Sequence, residues 1–494
     1  MEEHRSLIVL ISVFSYMAMC IGVGLWAMRR TKSTQDFFMA GRHLGFIVAS
    51  VAVFSSTMSG WGFVGGPGLV YKMGTSSFWM FISASIGMSL TFFLLGKRLR
   101  LLAELRESIS LPDAVAARYG SPTTSLLTAV AILLGVMGYL ATQILAMATV
   151  LQGILADVSW VGHLSIEVCV AISTAVLVFY CVTGGIIASV YTDLVQGIIM
   201  VMAALLILVA AIGTVDGGLS GMSQTIIADD PEAMSPWGTL GMIGCLSWYF
   251  IMVLGACGQP HVITKLMMTK RVEDARHILP VSVIGYGITA LLWIAIGLSM
   301  RALVLQGGHA ELINADDAAS QFLQHYAHPI LSGIVFAALL AAIMSTADSF
   351  LNIGAAAVVH DIPRALRGRS LHQELLWARV ATVLIAMAAA GFAIYSGDLV
   401  ALLGAFGWST FAAAIVPTVA IGFNWKRATA LACNLAIVSS LLLNFSLKLF
   451  EIELPHGFHG GAFSLLVSLT LFFGVSLLSQ PRTIAADVEA VMDL

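Results

Sequence analysis

Apolar runs much longer than a water-soluble domain needs recur along this chain, each set off from the next by a short polar stretch. Crossing a bilayer takes about 20 mostly apolar residues in a helix. Runs of that kind lie near residues 7–27, 45–71, 76–96, 123–154, 163–183, 187–213, 237–258, 279–304, 329–358, 378–396, 398–423, 428–449 and 460–479. The pattern predicts an all-α integral membrane protein of about thirteen transmembrane helices. The stretches between them, at most those around 214–236 and 305–328, are too short to fold alone, so one transmembrane domain over 1–494 is expected.

Two of these runs are interrupted. The second contains Ser55-Ser56-Thr57-Met58-Ser59-Gly60-Trp61-Gly62 and then Gly65-Gly66-Pro67-Gly68, and the seventh ends in Gly255-Ala256-Cys257-Gly258-Gln259-Pro260-His261. Gly and Pro at this density weaken a helix, and unwound backbone at membrane depth is tolerated only where it is buried or lines a cavity. Close packing through small residues is the other reading of such glycines. The hydroxyls at 55, 56, 57 and 59 favour a polar site. Paired interruptions at corresponding positions point to an inverted repeat with solute and ion bound at the broken helices. Spans two to six (about 45–213) and seven to eleven (about 237–423) form two sets of five. Accessory helices near 7–27, 428–449 and 460–479 leave one helix before the core and two after it.

Composition agrees: 59% of the 494 residues are hydrophobic and only 10% charged, against about 25% charged in soluble domains. The net charge of −3 offers no basic face for nucleic acid. The six Cys form no CxxC pair and read as small buried hydrophobes. Glu2 and Glu3 precede the first span while Arg29, Arg30 and Lys32 follow it, the reverse of a signal peptide. If the spans alternate from an external N-terminus, only Arg5, Lys72, Arg301 and Lys448 of the 24 Lys and Arg fall outside. The rest, Lys265 among them, fall in inner loops, which places the C-terminus in the cytoplasm and the protein in a bacterial-type cell membrane.

The ninth span carries Ser345, Asp348, Ser349 and Asn352 at i, i+3, i+4 and i+7, one helical face. The carbonyl of Ala342 lies three residues before Ser345 and four before Thr346, within reach of both hydroxyls, and three neutral oxygens on one turn suit a hard cation such as sodium. Interhelical hydrogen bonding is the competing reading. Asp193, six residues into the sixth span, is a carboxylate at depth that would attract a cation leaving toward the cytoplasm, or else would cap or pack its helix. Gln143 lines a cavity or bonds a neighbouring helix.

Ser59-Gly60-Trp61 with Gly66-Pro67-Gly68, Gly184-Gly185 with Thr192-Asp193 and Gln196, Gly258-Gln259-Pro260-His261, Ala342 with Ser345-Thr346 and Asp348-Ser349, and Trp425-Lys426-Arg427 after Pro417 follow one another in an order and spacing that resembles the sodium:solute symporter family. The resemblance runs from about residue 36 to 430 and implies a LeuT-like five-plus-five inverted repeat with sodium as the coupling ion. It implies a sodium site of the carbonyls of Ser55, Met58 and Ala342 with the hydroxyls of Ser345 and Thr346, and Asp193 on the sodium release path. Thr57, Ser59, Gly60, Gln143 and Ala256 are candidate solute contacts, and Asp348 is a further polar candidate. Proline-transporting relatives have an aspartate where this chain has Thr57, and aromatic residues where it has Met252 and Ala256, which leaves the solute open.

The expected function is sodium-coupled symport of a small polar organic solute, an amino acid or small carboxylate, by alternating access. A transporter-like sensor working with a separate signalling partner, or a proton-coupled carrier of the same fold, is the alternative. No HExxH or GxSxG motif argues for an enzyme. The partners expected are the solute and membrane lipid, with no nucleic acid and no obligate protein partner.

Overall fold

The computed structural model describes residues 5–28, 38–39, 44–156 and 164–494. Arg29, Arg30, Lys32 and Arg42, which contribute to the charge asymmetry, lie outside the described residues. The principal helices are α1 (Arg5–Met28), α2 (Phe46–Thr57), α3 (Gly66–Met73), α4 (Phe78–Thr91), α5 (Lys97–Leu105), α6 (Leu111–Tyr119), α7 (Pro122–Ala156), α8 (Ile166–Thr214), α9 (Gly241–Ala256), α10 (Pro260–Met267), α11 (Ala275–Leu305), α12 (Pro329–Ala356), α13 (Glu374–Ser396), α14 (Val400–Ile415), α15 (Ala430–Leu449), α16 (Gly460–Leu478) and α17 (Ala486–Met492). Among the described residues the only β pairing is an isolated bridge between Leu44 and Thr269. Helix dominates because hydrocarbon offers the backbone no water, so each segment must satisfy its own N–H and C=O groups.

Among the described residues eleven helical segments are long and apolar enough to cross a membrane, and Phe46–Thr57 and Ile166–Val182 are shorter apolar helices. The predicted fifth and sixth spans both fall in α8, whose 49 residues are assigned as helix throughout. A straight helix would hold Tyr180 and Thr192 about 18 Å apart, yet Tyr180 Oη and Thr192 Oγ1 share a hydrogen bond of 2.5 Å. The chain therefore reverses between them, and α8 supplies two passes.

Burial separates core from periphery. Within an 18-residue apolar window, 94% of the residues in Val400–Ile421 and 83% in Pro329–Arg367 are buried, against 33% in both Glu374–Ser396 and Ala430–Leu449. Helices α12 and α14 thus stand at the centre, and α13 and α15 turn apolar faces outward, as lipid-facing helices do. Glycine lets the central helices approach: a Cβ on Gly407 of α14 would meet the backbone of Tyr139 on α7 at 2.6 Å, and one on Gly404 would meet the Trp61 ring at 2.5 Å.

At one end α14 is anchored by a loop. Asp316, buried between α11 and α12, accepts the Val400 N–H through Oδ2 at 2.7 Å, satisfying an amide that the first turn of a helix leaves open. Burial pushes this carboxyl up to about 7, while the bond from Val400 acts the other way. A folded value above the unfolded one means that the native state holds the proton more tightly, so this group's stabilising contribution is present at acid pH and lost as pH rises toward 7. Asp316→Asn keeps an oxygen for Val400 and carries no charge. Its melting temperature relative to wild type should rise between pH 5 and pH 8. A difference independent of pH would refute the buried-carboxyl account.

Candidate functional site

The first interruption is a true helix break. Helix α2 stops at Thr57, Met58 takes extended backbone (φ −78°, ψ 95°), and the chain resumes at Gly60 with a wide turn over Trp61–Gly65 that leads into α3. The break's amides are satisfied locally. Ser59 Oγ accepts from Trp61 N at 3.1 Å and pairs with Tyr139 Oη at 3.1 Å, while Gln143 Oε1 accepts from Gly60 N at 2.9 Å. Gln143 and Ser59 therefore hold the break in place. Gly60 presents its open side to α7, where a Cβ would lie 2.5 Å from that of Ala146. The second interruption separates α9 from α10 at Cys257–Gln259, with Gln259 Nε2 donating to Gly255 O at 2.9 Å.

Helix α12 crosses the first break with its hydroxyl stripe inward. Ser345 Oγ lies 3.0 Å from Ser55 O and 3.1 Å from Ala342 O, and Thr346 Oγ1 lies 2.9 Å from Ser56 O and 3.1 Å from Ala342 O. All of these residues are buried. Each hydroxyl thus has two carbonyl oxygens in range and a single hydrogen to donate. Ala342 O already accepts the helical N–H of Thr346, and each hydroxyl can give its hydrogen to an α2 carbonyl, while the oxygen lone pairs left over converge as the ligands of a hard cation would. The structure brings Ser55, Ala342, Ser345 and Thr346 into one cluster, and Met58 stands at the break beside them. It adds the carbonyl of Ser56, which the sequence did not single out.

Asp348 and Asp193 sit apart from this cluster. Ser189 Oγ donates to Asp348 Oδ1 at 2.9 Å, which ties α12 to the second half of α8. Asp193 is fully buried and its Oδ2 lies 2.9 Å from Lys265 Nζ, whose second acceptor is Ala52 O at 2.9 Å. Ala52 O also accepts from Ser56 Oγ at 2.8 Å, so the pair stands one helical turn from the hydroxyl cluster. Assigning Lys265 to an inner loop was an error. It lies on α10 with 1% of its side chain exposed, because α10 continues the seventh span past Gln-Pro-His and brings the ammonium to the carboxylate. A basic residue four positions after His261 on a Pro-initiated helix was the available signal.

Beyond the break lies a cavity with about 280 Å³ of atom-free space, lined by Thr57, Trp61, Tyr139, Met252, Tyr286 and Trp408, among others. No lining side chain carries a formal charge. Of the candidate solute contacts only Thr57 is on its wall. Ser59, Gly60 and Gln143 support the break, and Ala256 packs near Gly87, where an added Cβ would meet its own at 2.7 Å.

Removing Lys265 alone would strand the Asp193 charge in a dry interior. Lys265→Met should cost about 3–5 kcal/mol in stability, while the double variant Asp193→Asn/Lys265→Met should recover much of the loss. Thermal unfolding of the purified single and double variants checks this. Equal destabilisation by both would show that the pair is not coupled.

Comparison with known proteins fits this architecture. The model for the sodium:solute symporter family matches residues 37–436. The high-affinity proline transporter PutP of Bacillus subtilis (strain 168) is 29% identical over 491 residues, spanning 95% of this chain and 97% of its own length. The sodium/proline symporter of Escherichia coli (strain K12) is 27% identical over 503 residues, spanning 97% of this chain and 96% of its own. A sodium-coupled sialic acid symporter, solved in a substrate-bound outward-open state, superposes with a TM-score of 0.78 at 20% identity and covers 97% of this chain and 99% of its own. Mhp1, a nucleobase-cation-symport-1 family transporter, superposes with a TM-score of 0.56 at 12% identity, covering 94% and 99%. The chain is a multi-pass membrane protein with a LeuT-like fold, a transporter and not an enzyme, and it belongs to the sodium:solute symporter family.

Proposed function

We propose that this protein imports a small zwitterion or small carboxylate together with sodium by alternating access, across a bacterial cytoplasmic membrane, with its N-terminus outside and its C-terminus in the cytoplasm. Sodium is the family's coupling ion. The observation that supports its place here is the buried meeting of the Ser345 and Thr346 hydroxyls with the carbonyls at the α2 break. In this reading Ser55, Met58, Ala342, Ser345 and Thr346 hold the ion. The two repeats span about 45–213 and 237–423. Asp193, neutralised by Lys265, serves sodium release: a departing cation meets a carboxylate whose charge is already partly met and is not trapped.

The solute class follows from the cavity. Its walls bear no counter-charge for a strongly ionic solute, so a carboxylate is better held by the dipole of the half-helix that restarts at Gly60. The named relatives transport proline. Thr57 on the wall supplies a hydroxyl and no negative charge for a secondary amine.

Two measurements test this. A thermal-shift screen with L-proline, other amino acids and small carboxylates should show stabilisation by one class in sodium and not in potassium. Equal stabilisation in both salts would contradict sodium coupling. Ser345→Ala and Thr346→Ala should each raise the half-saturating sodium for uptake roughly 5-fold to 150-fold, the effect of losing one oxygen worth about 1–3 kcal/mol. Unchanged sodium dependence in well-expressed variants would remove these residues from the ion site.

A further inference from the structure

The segment that joins α11 to α12 carries two histidines for which transport has no use. His309 follows the Gly307–Gly308 turn at the end of α11, and His325 is the last residue of a short helix, Ala318–His325, that leads toward α12. His309 is half-buried and His325 is exposed. In the proposed orientation both lie on the outer side of the membrane.

Local backbone and one tyrosine bring them together. Gly307 takes a positive φ of 76°, which lets the chain turn sharply after α11, and Gly308 N donates back to Leu303 O at 2.8 Å. Tyr326 Oη donates to Gly308 O at 2.7 Å, so the residue after His325 grips the residue before His309. The two imidazole centroids lie 5.3 Å apart at an interplanar angle of 79°, and the Tyr326 ring stands 5.9 Å from His309 and 6.3 Å from His325.

Each ring is also set in one tautomer. His309 Nδ1 lies 2.6 Å from Ala310 O, and His325 Nδ1 lies 3.0 Å from Gln321 O. A carbonyl oxygen only accepts, so each Nδ1 carries the hydrogen and each neutral ring keeps its lone pair on Nε2. Histidines that bind metals are held in this way, with one nitrogen bonded to a carbonyl or carboxylate and the other turned to the ion. The spacing agrees as well. Two imidazoles on one tetrahedral zinc, with Zn–N bonds of about 2.0–2.1 Å, have their centroids about 5 Å apart.

We propose that His309 and His325 form a binding site for a transition-metal ion of the zinc class, with the two Nε2 atoms as ligands and water in the remaining positions. Imidazole nitrogen suits zinc, copper and nickel, whereas magnesium and calcium take oxygen. The exposure of His325 leaves the bound ion open to exchange with the medium. The ion ties the end of α11 to the approach to α12, across the segment whose Asp316 holds the first turn of α14.

Zinc itself is the probe. The full chain, purified without a histidine tag, is titrated with zinc chloride by isothermal titration calorimetry. His309→Ala and His325→Ala should each weaken binding at least about tenfold, since even the partner of a ligand costs that much when it is lost. His360→Gln is the control, because Asp113, His360 and Asp361 form a separate group of potential ligands, and it should leave the affinity of the outer site unchanged. Copper bound to the wild type should give an electron paramagnetic resonance pattern from two imidazole nitrogens, and neither alanine variant should give it. Both alanine variants should melt with the wild type in EDTA, and added zinc should raise the melting temperature of the wild type alone. Zinc affinity unchanged in either alanine variant, or binding lost in His360→Gln and kept in both, would overturn the site, as would a wild type that binds no zinc.

Discussion

Backbone polarity at membrane depth is the constraint from which the rest of this structure follows. Breaking α2 at Met58 exposes carbonyls that water cannot reach, and in hydrocarbon each unsatisfied group costs several kcal/mol. The protein answers with α12, whose Ser345 and Thr346 hydroxyls reach the carbonyls of Ser55 and Ser56 across the helix interface. Each hydroxyl also lies within reach of Ala342 O, so carbonyls of two helices and both hydroxyls converge on one buried locus. In the proposed reading a cation held there makes the packing of α12 on α2 depend on ion occupancy, which is what coupling requires.

The surrounding polar groups extend the same logic outward. Ser59 and Gln143 satisfy the amides on the far side of the break. Lys265 and Asp193 neutralise each other one turn below it, with Ala52 O shared between the ammonium and Ser56 Oγ. Asp348, tied to Ser189, links this region to the helix pair of α8.

Much of this was legible in the sequence, and the exceptions share a cause. The break could be read from Gly and Ser density between Ser55 and Gly68, and the inward hydroxyl face from two adjacent hydroxyls placed three and four residues after Ala342, because both are local patterns. Lys265 could not be placed by counting charges, since a lysine near a span's end looks the same in a loop as on a helix that turns inward. That Gly60 and Gln143, both candidate solute contacts, bond each other across the break could not be read either, because it depends on α7, a helix some eighty residues distant. Local chemistry shows in the chain, whereas the assignment of a side chain to cavity or support is made by tertiary packing.

The most direct test of the central claim is an experimental structure of the protein in sodium beside one in potassium, at a resolution that shows bound ions. The account predicts density in sodium enclosed by the carbonyls of Ser55, Met58 and Ala342 and the hydroxyls of Ser345 and Thr346, with the α2 break and α12 drawn around it, and no such density in potassium. Sodium bound elsewhere, with both hydroxyls still donating to their carbonyls, would contradict it.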